Sequence, residues 1–374
     1  MSRKLVCIGN GPVMSFTPYM AKLALTLKSM NVDVEFITWK RESDSTTAKD
    51  PDNINQYCLL NSGRLSVPKC FLVITYIYWM LKLFAFVLLS KDRYYFCSRF
   101  ENCFPVWLGS KFRSINYIYA DRDSLYSTYS WPSAIKPLIK WVETKIATSA
   151  SVHLIPGESR DFTGHVNVEI VKNLPASWTL NKSIQIANSR ISEGTDSEQL
   201  CVYLNGWLAP TRGRKHIINA ICNANLLDKV KFIVAGDFDQ DFSDTISGST
   251  NVEMLGRLSN EEALSYYYSS DVVVSLYDPS IEINVKAEPN KWWDCVFTNT
   301  PFVTNYGIET LAGFKGLVPY YQIDYQDEMS LSYFLETVSL DEKYKRNRTN
   351  TQDVNYPYWD ERIKDIINKF LEEA

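Results

Sequence analysis

Short apolar runs alternate with longer amphipathic segments along this chain, each run closed by a glycine, a proline or a charge. The first run, Leu5 to Gly9, breaks into Gly9-Asn10-Gly11-Pro12. A periodic segment follows over about 16–30, and then a second run over 32–37. Strand, glycine turn, helix, strand is one βαβ unit opening an α/β domain. Residues 40–69 are polar and rich in turn formers, which predicts an irregular loop. Residues 70–89 are the most apolar stretch and approach the length of a membrane span. Lys82 interrupts it, and Asp92 and Arg93 follow at once, which favours a buried or membrane-surface helix over a span.

Further strands are predicted over 94–97, 115–120, 151–156 and 168–171, with a helix over 131–147. The strand over 115–120 ends at Asp121-Arg122-Asp123, where open α/β sheets bind ligands. After Pro175 the chain turns polar through about 198, which predicts a domain boundary in a weakly structured linker. The alternation then restarts, with strands over 200–204, 230–235, 252–255 and 271–276 and helices over 214–226 and 260–269. The predicted fold class is α/β: two doubly wound Rossmann-like domains facing across a cleft, the default place for a ligand. The expected divisions are 1–175, 176–355 and a final helix over 356–374 that returns to the first domain.

The remaining chemistry narrows the classes. With 374 residues, 45% of them hydrophobic, the chain has material for two cores. A net charge of −4 and no RNA-binding or zinc-finger pattern argue against nucleic acid as a partner. The eight cysteines form no C-x-x-C pair, and since most sit in apolar surroundings they read as mostly buried, reduced thiols of a cytosolic protein. Three histidines are too few and too dispersed for a His-built metal site. The apolar part of the N-terminus is too short for a signal peptide and reads as a first strand.

The stretch from Glu288 to Thr304 carries the most suggestive chemistry. Pro289 opens a turn, a helix-length segment follows, and Pro301 breaks it before the apolar run 302–304. Lys291 and Asp294 share a helical face near the first turn. A helix N-terminus with one cation suits an anion such as diphosphate, and a carboxylate one turn later suits a pair of ribose hydroxyls. The plainer reading is a capped, half-buried surface helix. Two other strand-to-helix turns carry a cation, Gly206 to Gly213 with Arg212 and Leu255 to Glu262 with Arg257.

Taken together these turns resemble the GT-B glycosyltransferases, in particular the retaining, nucleotide-sugar-dependent family 4. Gly206-Trp207-Leu208-Ala209-Pro210-Thr211-Arg212-Gly213 is similar to that family's Gly-Arg-Leu, three residues, Lys-Gly. Phe232 to Gly236, the segment 252–272 and Pro289-Asn290-Lys291-Trp292-Trp293-Asp294 followed by Thr300-Pro301-Phe302-Val303 continue the likeness. It covers about 200–310 well and the first half in outline, through Gly9 to Pro12 and Lys172-Asn173-Leu174-Pro175. Five positions depart. Trp207 stands where the family has its first arginine, Arg212 replaces its lysine and Asp294 its glutamate, Lys286 falls on one member of its acid pair, and Thr300 replaces the glycine before Pro301.

The resemblance implies a glycosyltransferase that uses a UDP- or GDP-sugar and needs no metal or other cofactor. Gly11, Gly206, Arg212, Asn290, Lys291 and Asp294 are then the donor-binding candidates, with Lys291 supplying the cation lost at Trp207. Asp121, Glu101 and Glu288 are the catalytic candidates. The acceptor would be a saccharide or lipid-linked saccharide, as in capsule or O-antigen assembly, at the cytoplasmic face of a membrane touched peripherally. Asp237-Phe238-Asp239-Gln240-Asp241 has D-x-D spacing, but the fold would put it on a surface turn. Two other readings stand beside this one. One is a catalytically silent GT-B-like module that binds a saccharide or a partner; the other, an NAD enzyme, lacks the third glycine of its fingerprint.

Overall fold

A computed structural model describes residues 4–11, 18–40, 54–61, 69–129, 131–164, 167–192, 199–236, 238–340 and 356–373. Pro12 of the first glycine turn and Asp237 of the D-x-D run lie outside them. The chain divides into two units, Met1–Lys172 with Trp359–Ala374, and Asn173–Tyr358.

The first unit is built on seven parallel strands: β1 (Leu5–Asn10), β2 (Val34–Lys40), β3 (Gln56–Asn61), β4 (Tyr94–Ser98), β5 (Asn116–Ala120), β6 (Val152–Ile155) and β7 (Val168–Ile170). Their order is β3-β2-β1-β4-β5-β6-β7, so the winding reverses between β1 and β4. β3 lies in the stretch expected to be loop. It is an edge strand in which Leu60 alone is buried, and backbone pairing to β2 rather than an apolar run defines it. The helices Lys69–Leu89, Phe100–Gly109 and Lys136–Ser149 share one core against this sheet. The unpredicted helix Phe100–Gly109 contains Pro105, a residue that reads from sequence as a break.

The most apolar helix, Lys69–Leu89, is neither buried throughout nor free of the core. Trp79, Leu83 and Val87 point inward with no exposure, Trp79 stacks on Trp39, and its indole N–H donates to Asn102 Oδ1 at 2.9 Å. Tyr76, Met80 and Phe86 pack partly against the same core, and Phe71, Ile74, Leu81 and their neighbours face outward. In the same unit the final helix Trp359–Glu373 buries Trp359 against Tyr19 edge-on, and the Lys22 ammonium sits 4.8 Å over the indole. Arg362 pairs with Glu169 at the same helix.

The second unit carries six parallel strands: β8 (Leu200–Asn205), β9 (Val230–Ala235), β10 (Val252–Gly256), β11 (Val272–Val274), β12 (Phe302–Asn305) and β13 (Tyr320–Ile323). The order β10-β9-β8-β11-β12-β13 reverses between β8 and β11. The polar segment after Pro175, expected to be weakly structured, is instead the helix Ser177–Ser192. Leu180, Ser183 and Ala187 form its narrow buried stripe, and the Arg190 guanidinium lies 3.7 Å from the Tyr266 ring centroid. A surface helix with so thin an apolar face has the composition of a linker.

Candidate functional site

In a doubly wound sheet a crevice opens beyond the carboxyl strand ends where the winding reverses, because the two flanking connections leave to opposite faces. In the second unit that point lies between β8 and β11. Gly206 and Trp207 follow β8 directly, and Ser275, Leu276 and Tyr277 follow β11. A cavity of about 210 Å³ sits there, lined by Trp207, Arg212, Leu276, Tyr277, Lys291 and their neighbours.

Glycine is required twice in forming this mouth. Gly206 has φ +85°, and a side chain on Gly236 would meet the Gly206 backbone at 2.2 Å, so the turns after β8 and β9 can touch only as glycines. Gly213 has φ +71°, and a Cβ there would strike Leu276 at 2.5 Å. That close approach brings the turn Pro210–Arg212 against the end of β11.

Arg212 ends that turn with its guanidinium 4.2 Å from the Tyr277 ring centroid, a cation–π contact over a buried ring. Its Nη1 is buried and has no hydrogen-bond partner among the described residues. Lys291 enters from the helix Asn290–Thr298, its stem lying over the Gly206 backbone. Its pKa is lowered from 10.5 to about 8, first by burial and then by the Arg212 charge. The attractions of Cys295 and Asp294 are weaker and do not restore it. The cavity lining therefore holds two cations and no carboxylate. Such an arrangement is electrostatically costly unless an anion occupies it.

Asn290 is the first residue of that helix and is exposed. Pro289 precedes it in an extended conformation with no side-chain cap, leaving the first N–H groups to other partners. Trp292 and Trp293 hold the helix down. Trp292 is fully buried and stacked on Phe302, so it is a core residue. Asp294, one turn on and half-buried, lies beside Tyr203 and Tyr267, whose phenols it helps hold un-ionised after burial itself. Glu288 is half-buried just before the helix, its backbone carbonyl held by Asn173 Nδ2 at 2.8 Å. Asn173 belongs to the run Lys172-Asn173-Leu174-Pro175.

The third cation-bearing turn stands apart. It follows β10, the edge strand, and its residues close a capping box in which the Ser259 hydroxyl accepts from the Glu262 N–H and the Glu262 carboxylate from the Ser259 N–H. Arg257 is exposed there and does not line the cavity.

The first-unit candidates gather around its own reversal point. Gly11 follows β1 with φ +103°, and Asn10 Nδ2 donates to Glu101, in the first turn of Phe100–Gly109. Asp121, one strand over, is 3% exposed and 3.5 Å from His153 Nε2. His153 stacks on Tyr119. Beside them Glu143 accepts from the Leu125 and Tyr126 N–H groups at 2.8 and 2.9 Å and from the Ser124 hydroxyl at 3.0 Å. Burial, and then the Asp121 charge, raise the Glu143 pKa to about 7. Asp121 and Glu143 thus form a sealed acidic network under the loop after β5.

No family model and no curated protein matches the chain. Solved structures do. Sucrose-phosphate synthase from Thermosynechococcus elongatus superposes with a TM-score of 0.64 at 13% identity, over 99% of this chain and 97% of that one. Anabaena HepE in complex with UDP-glucose gives 0.64 at 13%, over 99% and 100%. The UDP complex of S. aureus MnaA gives 0.61 at 10%, over 100% and 98%. The fold is GT-B.

Within this GT-B chain, no group of three or more His, Cys, Asp or Glu side chains among the described residues could hold a metal ion. Asp239 caps the helix Gln240–Ile246 through Phe242 N–H and pairs with Arg214. Two contributors were not among the donor-binding candidates. Tyr277 supplies the ring beneath Arg212, and Trp207, 69% exposed, forms part of the mouth. Trp207 was legible only as a missing arginine; nothing in its neighbours announces a solvent-facing indole.

Proposed function

We propose that this protein is a glycosyltransferase that takes a sugar from a UDP- or GDP-sugar and passes it to a saccharide or lipid-linked saccharide. The observation that carries the reading is the convergence of Arg212 and Lys291, without a carboxylate, on a cavity at the reversal point of the second sheet. Departure of a nucleoside diphosphate develops negative charge on its outer phosphate, and two positioned cations stabilise that charge as it forms. Asn290 and the N-terminus of its helix add N–H donors, and Gly206 lets phosphate approach the backbone. Asp294 then accepts from the ribose hydroxyls. On this reading the chemistry needs no metal, because the cations and the helix terminus do its work.

Glu288 and Glu101 remain the carboxylates proposed to act near the transferred sugar. Asp121, buried under the loop after β5, is proposed to position that loop, and Gly11 to be the backbone that admits the donor. The resemblance to retaining enzymes supports transfer with retention, and the surface of the first unit supports an acceptor at a membrane. Capsule or O-antigen assembly on the cytoplasmic face is the setting that fits these features. Trp207 in place of a cation, and the exposed Lys286 where an acid pair would stand, favour one rival, a catalytically silent module that binds a saccharide or a partner.

The test is nucleotide binding by calorimetry, then donor hydrolysis and transfer with a panel of UDP- and GDP-sugars. Arg212→Ala should weaken UDP or GDP binding about 100-fold, the loss of a charge-assisted, partly buried contact worth roughly 3 kcal/mol, with the fold intact. Unchanged affinity would put the phosphate site elsewhere. Binding without turnover across the panel would favour the silent module.

A further inference from the structure

The helix Lys69–Leu89 presents an apolar stripe that no described residue of its own unit covers. Phe71, Ile74, Ile77, Tyr78, Leu81 and Leu88 fall at helical spacings on its outer face, with Ile74 60% and Leu81 61% exposed. The helix is 21 residues, about 32 Å along its axis. Large side chains half exposed in such a row make an apolar patch on the order of 700 Å², beyond what a soluble surface ordinarily leaves open. The patch continues past the helix: Phe84 meets Phe112, itself 68% exposed, at the end of Phe100–Gly109.

The segment that carries this stripe has an excess of cations. Residues 69–149 contain eleven Lys and Arg against five Asp and Glu, a surplus of six cations in a chain whose net charge is −4. Two of the five acids, Asp121 and Glu143, are buried and face the interior. Lys111 lies beside Phe112 and over the Trp107 ring. The helix Lys136–Ser149 exposes Leu138 and Trp141 next to Lys140 and Lys145.

We infer that this face of the first unit docks on an anionic phospholipid surface, the helix Lys69–Leu89 lying along the membrane with its outer stripe among the acyl chains. An apolar stripe flanked by lysines and arginines matches a bilayer interface, where apolar area and surface charge both favour binding. The helix lies on the membrane and does not cross it. Trp79, Leu83 and Val87 are fixed in the core of the sheet, and Trp79 donates to the buried Asn102. A crossing would tear these from their partners. That the docked surface presents a lipid-linked acceptor rests on the glycosyltransferase reading; the docking itself does not.

The test is co-sedimentation of the full chain with vesicles of phosphatidylcholine alone or with a quarter phosphatidylglycerol, with UDP titrated separately into the unbound protein. Wild type should pellet with the anionic vesicles, weaken as salt rises, and be released from native membranes by alkaline carbonate. The pair Ile74→Glu and Leu81→Glu should reduce vesicle binding at least tenfold while leaving the thermal transition and any UDP binding unchanged. Lys140→Gln with Lys145→Gln should weaken binding and flatten its salt dependence. No binding to anionic vesicles, or retention after carbonate, overturns the proposal. So does a stable dimer in sedimentation velocity that the glutamate variants dissociate, because a second copy would then cover the stripe. A protein that binds UDP but no vesicle refutes docking alone, and one that binds vesicles but no nucleotide refutes the donor site alone.

Discussion

Lys291 links the cavity's electrostatics to two measurable quantities. In the unliganded protein its pKa lies near 8, below its ordinary 10.5. The folded state therefore disfavours the charged form, and below pH 8 the fold bears the whole of that penalty. Between about pH 8 and 10.5 the unfolded chain binds more protons than the folded one, so stability gains from rising pH and the penalty is relieved. A shift of about 2.5 units corresponds to at most about 3 kcal/mol. Lys291→Met should stabilise the second unit at pH 7 by about 1–3 kcal/mol, seen as a rise of several degrees in its melting temperature, with the gap closing above pH 9.

A diphosphate beside Lys291 would restore the ordinary pKa, and binding would then take up a proton. At pH 9 the free lysine is about 10% protonated and the bound one about 97%, so UDP binding should take up about 0.9 proton, against about 0.1 at pH 7. The same arithmetic weakens affinity about tenfold from pH 7 to pH 9. Isothermal titration of UDP in buffers of different ionisation enthalpy reads the uptake directly. In Lys291→Met it should vanish, along with most of the affinity. Uptake below about 0.2 proton at pH 9, or uptake that survives in Lys291→Met, would refute the claim that Lys291 meets phosphate.

If Asp294 accepts from the ribose hydroxyls as proposed, Asp294→Asn should weaken UDP binding about tenfold or more while leaving 2′,3′-dideoxy-UDP unchanged. Equal losses for both ligands would remove it from that role. In the first unit, Glu143 has a folded pKa near 7 against an unfolded 4.5. The native state holds the extra proton between these values, so stability should fall by about 2–3 kcal/mol as pH rises from 5 to 7.5. Urea unfolding at the two values should show that fall in wild type and a much smaller one in Glu143→Gln; identical slopes would mean the titrating group is another.

The α/β class and the pairs of strands that flank each glycine turn were legible because buried parallel strands must be continuous apolar runs. The helix beginning at Asn290 could likewise be read, since Pro289 and Pro301 bracket it. Where backbone pairing or a thin stripe replaces an apolar run, as in Gln56–Asn61 and Ser177–Ser192, composition resembled loop and linker. The site shows the same division. Arg212, Lys291 and Gly206 stand out along the chain as types and spacings, but strand order decides which turns meet. β8 lies next to β11 while β10 is at the edge, so the turns bearing Arg212 and Lys291 converge and the one bearing Arg257 does not. Depressed basicity at Lys291, the ring under Arg212 and the exposed indole of Trp207 arise only from packing. Sequence determined which charges this protein carries; the order of strands in the second sheet decided that Arg212 and Lys291 share one low-dielectric cavity.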